Sequence, residues 1–518
     1  MKDLRLKLIG SLAMAGAIVP LTAIAQDWTQ WGGGPSRNMV SPEQGPLPLD
    51  IKGGEKIKGT EDIDPKTTRG VKWIAKIGSQ SYGTPTVSNG KILVGTNNES
   101  PRDPKHQGDR GVLMCLNEAD GSLLWQLVVP KLGAGKVSDW EFLGICSSAS
   151  VLGDKCYIIT NRGEVACLDM EGMANGNQGL QDEGKRMAGP GNPPIEPGKL
   201  DADVIWSYDM RAELGVFPHN ITSSSPLIAG GKLFVTTSNG VDWSHTNIPA
   251  PQAPALIALD LETGELLGEE ASGISQNIMH CNWSSPAYAK IDGQEMIIFA
   301  AGDGFCYAFD PNAKEDDEGF LVFPELWKFD CNAPEYWKDE EGNKIKYATF
   351  DGPSECIATP VIDDGKVYIS IGQDPEHGEG VGRLSAIDAK TGMLVWEYKD
   401  IERSMSTASV APNPDKPGEK LVYVADYRGR LHCVDAKNGR KKWIHDTKSH
   451  IWGSTLVADD KVYLGNEDGE ITIIDAGQRL KGSWLVEFTS PIYAGPVASN
   501  GVLYICTQTH LYAFEVKK

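Results

Sequence analysis

Residues 372–382, Gly-Gln-Asp-Pro-Glu-His-Gly-Glu-Gly-Val-Gly, gather carboxylates and an imidazole more densely than any other stretch of this chain. Asp374, Glu376, His377 and Glu379 are the residue types that bind a cation or move protons. A Gly-rich solvated loop tied by Asx-type hydrogen bonds has the same composition, and no helix or fixed ligand spacing supports a metal here, so none is assigned. Two more stretches add polar and aromatic groups: residues 239–245 with Asp242 and His245, and residues 279–283 with His280 and Trp283. His219 stands in a third. A lone histidine such as His280 is more often a satisfied structural residue than a ligand. Trp283 and Trp140 are either stacking platforms or loop anchors. These residues form a candidate binding set; none is given a catalytic role. The chain has no GxSxG elbow, HExxH pair or Walker loop.

Something must bring such scattered groups to one place, and the chain's repeat does so. LSAIDAKTGMLVW at residues 384–396 reads as a strand running into Asp388, a turn through Thr391-Gly392, and a second strand ending in Trp396. The pattern returns as LHCVDAKNGRKKW at 431–443 and LMCLNEADGSLLW at 113–125. Each full repeat reads as four strands, opened by a small-polar segment such as Gly-Thr-Pro-Thr-Val at 83–87 and turned at pairs such as Asn89-Gly90, Asp364-Gly365 and Asn500-Gly501. Eight segments of this kind occur. The last ends without its Trp strand, while Val-Lys-Trp-Ile-Ala at 71–75 is a Trp strand with no hairpin before it. An array short by one strand at one end and long by one at the other closes into a ring and removes its exposed edges. The expected fold is therefore all-β: an eight-bladed propeller of four-stranded antiparallel blades, the last closed by an N-terminal strand. Trp73, Trp125, Trp206, Trp327, Trp396, Trp443 and Trp484 are expected between neighbouring blades, with Leu267 or Gly268 in that place in blade three.

In such a blade the connection between strands two and three and the one between blades emerge on the same face. Here that face takes the long connections and six of the nine His: His106, His219, His245, His280, His377 and His450. Binding sites concentrate on long loops held by a rigid scaffold. The excursions at 172–203 and 312–324 fall opposite and read as surface loops without chemistry.

Residues 1–25 read as a signal peptide: Lys2, Arg5 and Lys7 precede an apolar run ending in Ala23-Ile24-Ala25. Residues 26–70, with Trp28 and Trp31 among Gly and Pro, read as an extended arm on the body, and 71–518 as the propeller. The expectation is an exported, periplasmic or secreted monomer without a membrane span. A formal net charge of -21 argues against nucleic acid and anionic membrane as partners. Of ten Cys, Cys115, Cys167 and Cys433 occupy a strand position where other copies have Ala. Cys146, Cys281, Cys331 and Cys356, in connections, are the better disulfide candidates.

The A-x-D-x-x-T-G-x-x-x-W text and the eightfold count resemble the pyrroloquinoline-quinone (PQQ) repeat propellers. The segments WTQWG at 28–32, GVFPHN at 215–220, NIPAP at 247–251 and IWGS at 451–454 are similar to exported PQQ-like repeat proteins of planctomycete-type bacteria. The family includes quinoprotein dehydrogenases and proteins that bind no cofactor. Its dehydrogenases stack the quinone against a ring of two adjacent disulfide-linked Cys and hold calcium, but this chain has no adjacent Cys pair. The reading is thus a non-catalytic binding propeller that recognises a protein or small ligand on its long-loop face. Its alternatives are a quinone- and calcium-dependent dehydrogenase using Asp374, Glu376 or His377, and a carbohydrate-binding propeller.

Overall fold

The computed structural model describes residues 26–43 and 45–516. The expected signal segment lies outside them. Eight sheets, each built on four antiparallel strands, are arranged as a propeller. In blade eight, Val71–Lys76 pairs with His510–Glu515, placing Trp73 opposite Ala513, so the ring closes as the two incomplete ends imply.

The repeated residues have separable duties. In blade five, Asp388 accepts the backbone N–H groups of Lys390 and Thr391 at 3.1 and 2.9 Å and the Thr391 hydroxyl at 2.8 Å, which fixes the turn. Gly392 turns the chain at φ +71°, and an added Cβ would lie 2.8 Å from the Trp327 ring. Glycine here provides both the backbone angle and a flat seat for the preceding blade's tryptophan. Trp327 then donates its Nε1–H to the Ala389 carbonyl at 2.9 Å. The same docking recurs for Trp73 on Glu118, Trp125 on Met170, Trp206 on Leu261, Trp396 on Ala436 and Trp443 on Gly477.

Trp484 departs from this expectation. It is 36% exposed, because blade eight takes its outer strand from Val71–Lys76, which is not joined to His510–Glu515 by the hairpin turn that seats the other tryptophans. Blade three also differs. Gly268 occupies the Trp position, and Lys314–Glu315 and Leu321–Val322 extend the sheet to six strands. The 312–324 excursion read as a bare surface loop instead packs Phe323 beside Phe234, 6.2 Å between ring centroids, filling the interface. The 172–203 excursion likewise lies along blade one: Gln126 donates to Leu200 and accepts from Ala202. All ten Cys are buried and free. That includes the four disulfide candidates; Cys281, for one, turns its Sγ to the Ser238 carbonyl at 3.1 Å.

The arm crosses the inner strands of all eight blades in sequence. Trp28, Thr29, Gln30, Pro35, Ser36, Asn38, Met39 and Ser41 bond respectively to Val87, Val151, Ile228, Tyr288, Ile362, Val410, Val457 and Ala498. These contacts lie near the first turn of each blade, the end opposite the long loops. Arg37, fully buried, donates to the carbonyls of Trp31, Ser225, Pro226 and Pro286. Burial lowers its pKa to about 9. Among the described residues no helix is long and apolar enough to cross a membrane.

Candidate functional site

Four of the six His assigned to the loop face converge. His219 follows blade two, His245 lies within blade three, His280 leads into blade four and His377 lies within blade five. One ring nitrogen from each lies within 4.8 Å of the others. The Nε2 atoms of His219 and His280 are 2.9 Å apart. That is a hydrogen bond between the two rings; the edge of a tetrahedral nitrogen set with bonds of about 2.1 Å is about 3.4 Å, so an ion would replace this bond and part the pair by about 0.5 Å.

Local backbone packing enforces the convergence. Gly240 forms a bridge with Cys281 and Pro218 one with Asn239, so residues 239–241 run between the segments bearing His219 and His280. A Cβ on Gly240 would stand 2.6 Å from the Cβ of His219 and 2.7 Å from the His280 carbonyl oxygen; only glycine permits this approach. Val241 donates its N–H to the His280 carbonyl at 2.9 Å and accepts from the Nδ1–H of His219 at 2.6 Å. That bond assigns the tautomer of His219 and leaves its Nε2 lone pair free to accept.

A second set of groups orients the rings. His377 Nδ1 meets Asp374 at 3.0 Å, and His280 Nδ1 lies 3.4 Å from Glu355. The latter pair is close but not aligned as a hydrogen bond, and His280 Nδ1 is an orphaned buried nitrogen. Glu355 is wholly buried, accepting the Tyr347 hydroxyl at 3.0 Å and the Cys281 N–H at 3.2 Å. Burial, then the nearby Asp374 charge, pushes its pKa up to about 8. Desolvation lowers both His219 and His280 to about 3, so these imidazoles are neutral. For His377 burial works downward, but the Asp374 carboxylate outweighs it and the pKa is raised. His245 is lowered, by desolvation and then by His377. Imidazoles are the usual donors to zinc, copper, nickel or iron, and a carbonyl or carboxylate behind the far nitrogen, as Val241 stands behind His219 and Asp374 behind His377, orients the ring.

The other candidates have supporting positions or none. Asp242 accepts the Ser244 N–H and the Asn247 side-chain amide at 2.9 and 3.1 Å, shaping the His245 loop. Trp283 packs 4.9 Å from His280 and donates to the Ile221 carbonyl at 3.2 Å. Glu376 lines the cavity described below, while Glu379 is exposed and outside the cluster. His106 is buried 3.4 Å from Asp201, and His450 stacks on Tyr427 at 4.3 Å. Glu355, Tyr347 and the Val241 carbonyl have no signature in the sequence; they matter because the fold delivers them to the rings.

Beside the cluster, an axial cavity of about 460 Å³ is walled by Trp31, Tyr82, Trp140, Trp283, Trp452 and Tyr493. Tyr82 and Tyr493 stack at 5.1 Å. The small-polar strand starts form its floor, passing backbone N–H bonds from blade to blade, as from Ser148 to Ser225 Oγ at 3.0 Å and from Thr407 to Ser454 Oγ at 3.0 Å. Its lining includes Asp374 and Glu376 but, among the described residues, no Lys or Arg. Such a wall does not fit pyrroloquinoline quinone, a tricarboxylate, and four imidazoles do not fit calcium, which selects oxygen.

The comparisons with known proteins bear on the scaffold. A protein-family profile described as outer membrane protein assembly factor BamB matches residues 64–188 and 336–518, more than half of the chain. His219, His245 and His280 fall between the two matched segments. Quinohemoprotein alcohol dehydrogenase ADH-IIG of Pseudomonas putida is 32% identical over 129 residues, 22% of this chain and 16% of that protein. The dehydrogenase subunit of the quinone alcohol dehydrogenase of Gluconobacter oxydans is 28% identical over 278 residues, 52% of this chain and 29% of that protein. The chain therefore spans well under half the length of these relatives. The crystal structure of BamB from Moraxella catarrhalis superposes with TM-score 0.52 at 15% identity, covering 85% of this chain and 98% of that one. That of ADHIIG from Pseudomonas putida HK5 gives 0.54 at 14%, covering 95% and 81%. At such identities the structural likeness speaks to fold alone. With its repeats closed into eight blades and the profile matched on both sides of the histidine-bearing stretch, the chain belongs to the BamB-like family of PQQ-repeat β-propellers.

Proposed function

We propose that this protein is an exported binding propeller that holds one transition-metal ion on His219, His245, His280 and His377 and receives a small ligand in the adjoining cavity. The observation that supports this reading most is the convergence of four ring nitrogens, with Val241, Asp374 and Glu355 behind three of the rings. We favour binding over quinone-dependent dehydrogenation, since among the described residues the cavity wall offers no cation to meet the quinone's carboxylates. The aromatic walls favour a ligand with a flat apolar face, which includes the sugar rings of the carbohydrate reading. Export and action as a monomer belong to the same proposal, supported by the pattern of residues 1–25 and the charge of -21.

The test is calorimetric titration of metal-free protein with zinc, copper(II) and nickel, alongside His219→Ala and His280→Ala. One equivalent bound by the native chain and none by the variants supports the centre. Absence of stoichiometric binding by the native chain at micromolar metal removes it. A glycan array and a thermal scan with quinone plus calcium address the two other ligands.

A further inference from the structure

The four imidazoles are unequally held. His219 and His280 are 0% and 1% exposed, His377 is half-buried, and each has its second ring nitrogen facing a fixed oxygen at 2.6, 3.4 and 3.0 Å respectively. His245 is exposed, stands at φ +54°, and forms no side-chain hydrogen bond among the described residues. Its loop is pinned through Asp242 rather than through the ring itself, and the neighbouring Trp243 is 60% exposed.

We propose that His245 is an exchangeable fourth ligand: three anchored imidazoles hold the ion, and a small monodentate donor from solvent takes the fourth position when His245 swings away. This rests on the four-imidazole reading above and deepens it. Releasing His219 or His377 would strand the Val241 carbonyl or the Asp374 carboxylate without its partner, and releasing His280 would pull a fully buried ring off Trp283, each of which is costly. Releasing His245 strands no hydrogen-bonded partner and returns rotamer freedom to an exposed side chain, giving up only its edge contacts with the rings of His377, His219 and His280 at 4.5, 5.0 and 5.3 Å. Three fixed imidazoles with one replaceable position form the ligand pattern of metal sites that bind or activate a small molecule, whereas structural sites are closed by four firm ligands. The ligand class follows from charge. Three neutral imidazole ligands leave the ion's positive charge uncancelled in the inner shell, so the open position favours small anions and neutral nitrogen donors.

The experiment uses the full chain loaded with cobalt(II), whose visible absorption reports coordination, and azide as the added donor. His245→Ala and His245→Gln are compared with native protein and with His280→Ala, with circular dichroism and melting temperature confirming that each is folded. The expected result is one cobalt per chain in both His245 variants, none in His280→Ala, and azide perturbing the variant spectra at a concentration about tenfold or more below that needed by the native chain. If the native protein retains cobalt but the His245 variants lose it as His280→Ala does, His245 is an obligatory ligand and this inference falls alone. Cobalt retained with spectra indifferent to azide also overturns it. If the native chain takes up no cobalt, the four-imidazole reading falls with it.

Discussion

Blades five to seven and the sector around blades three and four are built from the same repeat under different rules. In the regular sector each interface repeats one docking: Trp396 on Gly439 and the Ala436 carbonyl, Trp443 on the Gly477 carbonyl. In the other, Gly268 replaces the tryptophan, Phe323 arrives from an inserted hairpin, and carboxylates are buried at Glu270, Asp303 and Glu355. The His cluster stands over this second sector. The difference teaches that a repeat can carry a site where its own packing rule is relaxed, provided an insertion repairs the interface.

That contrast can be broken first at its strongest point. Trp396→Ala deletes a docked ring and its hydrogen bond, and chemical denaturation should show a loss of about 3–5 kcal/mol. Phe323→Ala should cost roughly 3 kcal/mol if the inserted ring substitutes for the missing tryptophan; a near-zero loss would show that blade three tolerates its gap. Glu270 sharpens the electrostatic side. It accepts the N–H groups of Ala255 and Ser272 at 2.7 and 2.9 Å, and burial raises its pKa from 4.5 to about 7. A group raised in the folded state contributes its stability fully below the unfolded pKa and loses it as pH rises through the folded one. Native protein should therefore weaken between pH 4.5 and 7, by up to roughly 3 kcal/mol at about 1.4 kcal/mol per unit, and Glu270→Gln should flatten that slope in melts across the range. Zinc at a hundredfold excess over its dissociation constant should stabilise the native chain by about 2.7 kcal/mol and His219→Ala not at all, read by thermal shift. The smallest effect is Trp484→Ala: with its ring 36% exposed and undocked, a loss below about 1 kcal/mol is expected.

Much of the scaffold was legible in the sequence because period-two strands, Asn-Gly turns and the Asp-to-Trp spacing are local signals. Closure at Trp73 was legible too, since the two incomplete ends matched. Trp484 was misplaced because its seat depends on which strand completes blade eight, a topological fact outside its own hairpin. Cys331 and Cys356, disulfide candidates by their place in connections, are free and buried, since loop position alone says nothing of Sγ distances. At the site, His219, His245, His280 and His377 were each named as candidates, yet no spacing joined them. They come from separate blades, and a propeller brings distant connections to one rim. Glu355 gave no signal at all; its role is set by Tyr347 and His280, which only folding places against it.

The arm that touches every inner strand changes how the ring can fail. An array in which each blade meets only its two neighbours can fray blade by blade, its stability a sum of local terms. One extended segment bonded in turn to all eight, and held by the buried Arg37 to the starts of blades three and four, links blades that never meet. Loosening any one of them loosens the tether of the rest, so melting should be a single cooperative transition of the whole circle.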